Sequence, residues 1–189
     1  MRSPAEFALA GLLIASATSC AVVSYSLSAP KIGEFSLAVT GSITTTRVGG
    51  SQVTKTFAGP DPIWQTLAYT GETGAELGEW NVALVWRGAK RPVAGKSYDV
   101  VFINDAPNDT TRFGMLLTDI RQVSGTGIVK AWRVTSGTMA VDISTSGQLA
   151  GKLTFTAVEV TQPSSATITG SAIIDAQCAT GFTITPGAC

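Results

Sequence analysis

Hydrophobic and polar residues alternate with a period of two along most of the chain from residue 34 onward. In the first such segment, Phe35, Leu37 and Val39 fall on one face, whereas Ser36 and Thr40 fall on the other. No segment sustains the i, i+3, i+4, i+7 spacing of an amphipathic helix. Because successive side chains of a strand point to opposite faces, this pattern predicts strands that are buried on one side. The body of the chain is therefore predicted to be all-β.

Ten segments carry the alternating pattern, and clusters of turn-forming residues separate them. They are residues 35–44, 52–57, 63–69, 80–86, 98–104, 112–120, 128–134, 138–143, 152–160 and 166–174. Turns are predicted at Gly49-Gly50-Ser51, at Ser124-Gly125-Thr126-Gly127 and at other groups of Gly, Pro, Asn and Ser. Short connections favour antiparallel neighbours. The sequence thus predicts one domain over residues 34–189, built as a single antiparallel β-sandwich or a barrel-like meander of about ten strands.

A weak internal repeat lies in the C-terminal third, where a glycine begins a strand that then alternates. The copies are residues 137–143, 151–157 and 170–176. Their alternate positions are predicted to line one buried face: Met139, Val141 and Ile143; Leu153, Phe155 and Ala157; Ala172 and Ile174. Residues 136–176 resemble the C-terminal region of many uncharacterised bacterial lipoproteins. The resemblance implies a β-meander and brings no activity with it.

The N-terminus has the features of an export signal. An apolar run, FALAGLLIASA over residues 7–17, follows Arg2, and small residues lead from it into Cys20. This segment resembles a bacterial lipoprotein signal, whose lipobox ends in the cysteine that is acylated. The resemblance implies that residues 1–19 are removed, that Cys20 carries the lipid, and that residues 20–33 tether the domain. It places the protein in the cell envelope, at the outer membrane or the cell surface.

Two other interpretations of the N-terminus stay open. An ordinary secretory signal could be cut after Ala17 or Ser19, which would leave Cys20 as a thiol. Alternatively, the uncharged stretch over residues 7–25 could remain as one membrane-spanning helix.

Two further cysteines, Cys178 and Cys189, flank a turn-rich segment that contains Gly181, Pro186 and Gly187. In an exported chain, this spacing predicts a disulfide that holds the C-terminal segment. A redox pair would be expected as a close C-x-x-C with basic neighbours, and the segment has neither.

The composition excludes several classes of function. The 189 residues contain 13 basic and 13 acidic side chains, so no net positive charge is available to attract nucleic acid. The absence of histidine removes Ser-His-Asp triads, Cys-His pairs and histidine-ligated zinc. The sequence accordingly predicts no catalytic residue, no metal site, no cofactor and no nucleic-acid partner.

Two sets of side chains could still contact a ligand. Trp80, Trp86 and Trp132 are either core residues or a stacking wall for a sugar or an apolar molecule. The carboxylates that could serve glycoside hydrolysis are Glu79, Asp99, Asp105 and Asp119, and no motif selects a pair among them.

The leading hypothesis is a non-enzymatic, exported and lipid-anchored cell-envelope protein that acts as a structural or interaction module. Its partners would be the membrane, through the lipid, and an envelope protein or glycan. The alternatives are a lipocalin-like carrier of a small apolar ligand, and a carbohydrate-binding module or weak hydrolase. Burial of the three indoles separates them, because packed indoles favour the first hypothesis, a cavity wall the second and an exposed row the third.

Overall fold

The computed structural model describes residue 27, residues 30–57, 62–69, 79–88, 90–106, 111–123, 126–161, 165–180 and 183–184, and residue 189. Over these residues the chain is all-β, as predicted. The strands are β1 (Glu34–Gly41), β2 (Thr45–Phe57), β3 (Pro62–Tyr69), β4 (Glu79–Arg87), β5 (Lys96–Phe102), β6 (Phe113–Val123), β7 (Thr126–Ser144), β8 (Gln148–Glu159), β9 (Thr167–Thr180) and β10 (Thr183–Ile184). A short 3-10 turn, Ile103–Asp105, follows β5. No helix long and apolar enough to cross a bilayer occurs in the described part of the chain.

The sheet closes on itself because β1 has a neighbour on each side. Glu34 is in register with Gly50 of β2 and with Asp175 of β9. From β1 the hydrogen-bonded order runs β1-β2-β3-β4-β6-β5-β7-β8-β9 and returns to β1, while the two-residue β10 pairs with β9. Each of these nine strands therefore has partners on both edges. A closed sheet of this kind leaves no long edge for another chain to join.

The sheet is mixed, so the prediction of purely antiparallel pairing is wrong, and the single closed sheet is not a clear sandwich. Strand β5 runs parallel to β6, with Val100 opposite Phe113, and antiparallel to β7, with Asp99 opposite Thr138. Strand β5 therefore lies between β6 and β7 at one end of the sheet, whereas β6 and β7 pair with each other at the other end. On its other side, β6 pairs with β4. At this point the order of strands in the sheet differs from their order in the chain. The alternation of polar and apolar residues within each strand could not predict this.

Two predicted boundaries also differ from the structure. Residues 128–134 and 138–143 belong to one long strand, β7, which is interrupted by a register shift between Val134 and Ser136 rather than by a turn. Such a bulge adds one residue to a strand without ending it. The predicted turn at Gly49-Gly50-Ser51 lies inside β2, and the chain reverses instead between Gly41 and Thr45.

Inward-facing side chains from all nine strands form one continuous core. Phe35, Leu37, Leu84, Met115 and Leu153 are among its fully buried members. The buried face predicted from the internal repeat is confirmed except at one position. Ile143 is exposed, because a second register shift between Val141 and Ile143 turns it away from the core.

One glycine of the repeat is required by the close approach of two strands. A Cβ on Gly151 would overlap the carbonyl oxygen of Ala140 on β7 and would also lie 2.9 Å from Cε of Met139. The first obstacle is backbone within a paired strand, which side-chain rotation cannot remove. The glycine that begins this copy of the repeat therefore sets how closely β7 and β8 pack.

We expect the substitution Gly151→Ala to lower the free energy of unfolding by about 1–3 kcal/mol, the usual cost of overpacking a core. Urea denaturation followed by tryptophan fluorescence measures the change. Gly50→Ala is the matched control, because its Cβ would meet only the ring of Tyr69, at 3.2 Å, and that partly exposed ring can move. Equal losses in the two variants would contradict the strand-contact explanation.

Candidate functional site

The predicted disulfide is present. Cys178 and Cys189 are joined with an S–S distance of 2.04 Å. The amide of Cys178 donates to the carbonyl of Gly147 at 2.8 Å, and the amide of Cys189 donates to that of Ser146 at 3.1 Å. The two cysteines of the bridge are therefore both held against the connection between β7 and β8. Cys20, the predicted lipidation site, and the rest of the predicted signal lie outside the described residues.

Cys189 is buried at the end of the closed sheet where β7 connects to β8. We call this end the disulfide end. Nε1 of Trp64 lies 3.5 Å from its carbonyl oxygen. Beside it is a cavity of about 10 Å³, lined in part by Val53, Pro92 and Leu149. A volume of this size holds at most one water molecule, so the cavity is no small-molecule site.

The three candidate aromatics all lie in the interior. Trp80 and Trp132 are 0% exposed and stack with ring centroids 6.4 Å apart. Trp86 is 5% exposed and packs against Tyr98 and Phe113, with centroid distances of 4.9 and 5.1 Å. Its Nε1 donates to the carbonyl of Lys90 at 2.9 Å, which holds the β4–β5 connection in place. The three indoles thus contact other protein side chains, and they form no exposed row.

The four candidate carboxylates are not brought together. Asp119 is fully buried on the inward face of β6, opposite Trp80. Glu79 precedes that tryptophan on β4 and so takes the opposite face of the strand. Asp99 is exposed on β5, and Asp105 binds Arg133 of β7 at 2.9 Å. No two of the four share one face and one neighbourhood.

An internal ion pair was not predicted from the sequence. Nζ of Lys130 lies 3.2 Å from Oε1 of Glu159, and the two side chains are 33% and 4% exposed. Lys130 is also directly opposite Asp119, while Glu159 is opposite Trp132. Both carboxylates therefore face the interior, on the two strands that flank Lys130. The inward position of Glu159 could have been predicted from alternation, because it lies two residues after Ala157 and four after Phe155, which both face inward.

An open depression lies on the outside of the sheet, across β5, β7, β8 and β9. We call it the outer groove, and its volume is about 530 Å³. Its polar side chains are Asp99, Ser136, Thr138, Thr154, Thr156 and Thr169. Between them, the floor contains Gly137 and Gly170, which flank Phe155 in the strand register. Of these lining residues, Asp99 carries the one charged side chain.

Strand register arranges the polar side chains in and beside the outer groove in two parallel rows. The first row joins Asp99, Thr138, Thr154 and Ser171. The second joins Ser136, Thr156, Thr169 and Thr40. Neighbouring strands are roughly 4.8 Å apart and residues two apart on a strand roughly 6.7 Å, so the side chains form a regular grid. At one end of the second row, the hydroxyls of Thr40 and Thr169 are hydrogen-bonded at 2.9 Å.

The bulge in β7 is what adds Ser136 to this grid. Val134 faces the core, and strict alternation would turn the side chain of residue 136 inward as well. The register shift after Val134 leaves Thr135 and Ser136 both exposed, and alternation then resumes with Thr138 outward and Met139 inward. The outward hydroxyl positions could be read from the sequence, but their alignment across four strands depends on this shift.

Fold and surface together define a closed, single-sheet all-β domain with a packed interior and a hydroxyl-lined groove on its outside. Comparisons with protein-family models, with curated proteins and with solved structures found no match to the chain.

Proposed function

We propose that the protein is a non-enzymatic, exported module of the bacterial cell envelope, held at the membrane by lipid on Cys20 and binding its partner through the outside of the sheet. The observation that carries the binding surface in this proposal is the burial of Trp80, Trp86 and Trp132 in mutual and core contacts, while the anchor rests on the N-terminal sequence. With these large side chains inside, the described interior is occupied by the protein itself. The outer surface is then the part that can meet a partner.

The carrier alternative has less support. A lipocalin-like carrier needs an internal cavity that encloses most of a small apolar ligand. Here the cavity next to Cys189 measures about 10 Å³, and the stacked indoles occupy the interior near the opposite end of the sheet. A sugar-stacking row of tryptophans is likewise disfavoured by indoles that are at most 5% exposed.

A rigid scaffold also supports the proposal of a binding or structural role. Each strand of the closed sheet has a hydrogen-bonded partner on each side. The disulfide and the bond from Trp86 to the backbone of Lys90 fix two connections at the disulfide end. Groups held by such a frame lose little conformational freedom when a partner binds, which favours affinity.

Intact-mass spectrometry of the protein extracted from membranes of its native host tests the proposal. We expect a mature chain that begins at Cys20 and carries added acyl mass, and we expect Cys20→Ala to release the chain from the membrane fraction. An unmodified chain, or one that retains residue 1, would contradict the lipid anchor. A small-molecule adduct that persists under native conditions would favour the carrier instead.

A further inference from the structure

We propose that the outer groove binds a neutral saccharide chain through its two rows of hydroxyl groups. This inference rests on the proposed function, because it names the ligand class for the outer surface of the same module. It relocates sugar recognition from the buried tryptophans, where the sequence suggested it, to threonine and serine side chains on β7, β8 and β9.

The chemistry of the groove matches a sugar. A hydroxyl group donates one hydrogen bond and accepts two, and the hydroxyls of a saccharide do the same. Thr138, Thr154 and Thr169 are exposed, and their positions are set by strand pairing rather than by a loop. A ligand hydroxyl can therefore meet either a donor or an acceptor at each point of the grid without moving the backbone.

The charge of the groove disfavours polyanionic ligands. Nucleic acids and other polyanions are bound by clustered Lys and Arg, whereas the charged side chain that lines this groove is a carboxylate, Asp99. Carboxylates of this kind accept hydrogen bonds from ligand hydroxyls and strengthen them. A neutral polyhydroxylated ligand can satisfy the groove by hydrogen bonds alone, including bonds that its hydroxyls donate to the Asp99 carboxylate.

The groove also differs from a typical protein-binding surface. The centre of a protein interface usually contains exposed aromatic anchors or arginine. In the groove, the aromatic side chain is Phe155, which is turned inward and buried next to Gly170. The volume of about 530 Å³ lies within the range of small-ligand sites, and the repeating grid suits a ligand built from repeating units.

The test is an amide chemical-shift titration of the isotope-labelled full chain with four neutral probes, namely cellohexaose, chitohexaose, maltohexaose and a mannohexaose. At least one probe is expected to shift resonances of residues 136–138, 154–156 and 169–171. The double variant Thr138→Val with Thr154→Val keeps the β-branched shape and removes two hydroxyls from the first row. It should weaken binding about tenfold, the effect of losing two ordinary hydrogen bonds.

Thr118→Val is the matched control, because Thr118 lies on β6, belongs to neither row and does not line the groove, so its loss should leave binding unchanged. If the double variant does not fold, Asp99→Asn on the exposed face of β5 takes its place, with weaker binding expected. The inference is overturned if no probe binds, if the shifts lie elsewhere, or if the groove variants bind as tightly as the parent. Those results would leave the lipid anchor untouched, whereas an unlipidated native chain with intact saccharide binding would overturn the proposed location alone.

Discussion

Replacing Trp132 by alanine is expected to lower the free energy of unfolding by about 3–5 kcal/mol. The indole is fully buried and stacks on Trp80 at a centroid distance of 6.4 Å, so its removal leaves a large void between β4, β6 and β7. A domain of this size has a total stability of about 5–15 kcal/mol, so the loss is a large fraction of it. Urea denaturation monitored by far-ultraviolet circular dichroism gives the value.

Trp132→Phe is the control for this experiment. It retains an aromatic ring and most of the buried area, and should cost clearly less than the alanine variant. If Trp132→Ala left stability within about 1 kcal/mol of the parent, the indole would not be a core residue. That result would favour the alternative in which the tryptophans contact a ligand.

The second large effect is expected from Lys130→Met. The change removes the ammonium group that pairs with Glu159 at 3.2 Å and that stands opposite Asp119. Breaking a buried pair leaves an uncompensated carboxylate and costs about 3–5 kcal/mol. Because Lys130 is one third exposed, we expect a loss of about 3 kcal/mol, at the lower end of that range. Equilibrium denaturation at neutral pH measures it.

A double-mutant cycle separates lost charge pairing from lost packing. Glu159→Gln combined with Lys130→Met should recover part of the loss, since the buried group that remains is neutral. Arg133→Met is the matched control on the same strand. Its partner Asp105 is 47% exposed, and pairs of this kind contribute about 0–1 kcal/mol. Additive losses for Lys130 and Glu159 would contradict a direct interaction between them.

Strand content and inward faces could be predicted because both are local properties of the sequence. Phe35, Leu37 and Val39 alternate with polar residues, and they are buried as that pattern requires. The same logic placed Leu153, Phe155 and Ala157 correctly. It failed at Ile143, because a bulge changes the phase of alternation without any change in residue type.

Closure of the sheet and the position of β5 could not be predicted in this way. The pairing of β1 with β9 joins segments from opposite ends of the domain, and alternation within each segment says nothing about its partner. The chain connection between β4 and β5 suggested that they are neighbours, whereas hydrogen bonding places β6 next to β4. Long-range packing determines which strands are neighbours, and the local sequence pattern of a strand does not show its partner.

The candidate site was missed for a related reason. Thr138, Thr154 and Thr169 were each recognisable as outward positions, and outward polar residues are common on any half-buried strand. Their significance arises only from register, which aligns them across three strands. The buried charges of Asp119 and Glu159 broke the local rule that interior positions are apolar. Their neighbour Lys130 comes from a different strand, so sequence spacing could not connect the three.

The seam between β1 and β9 also sets the order in which the molecule can fold. The first strand obtains its second neighbour only after nearly the whole domain has been synthesised, and contacts between such distant segments make folding slow. A nascent chain that stops before Thr167 would expose unpaired edges on both β1 and β8, which invite aggregation. Closure of the sheet therefore waits for β9, and until that last long strand is made the partly synthesised domain keeps these edges exposed.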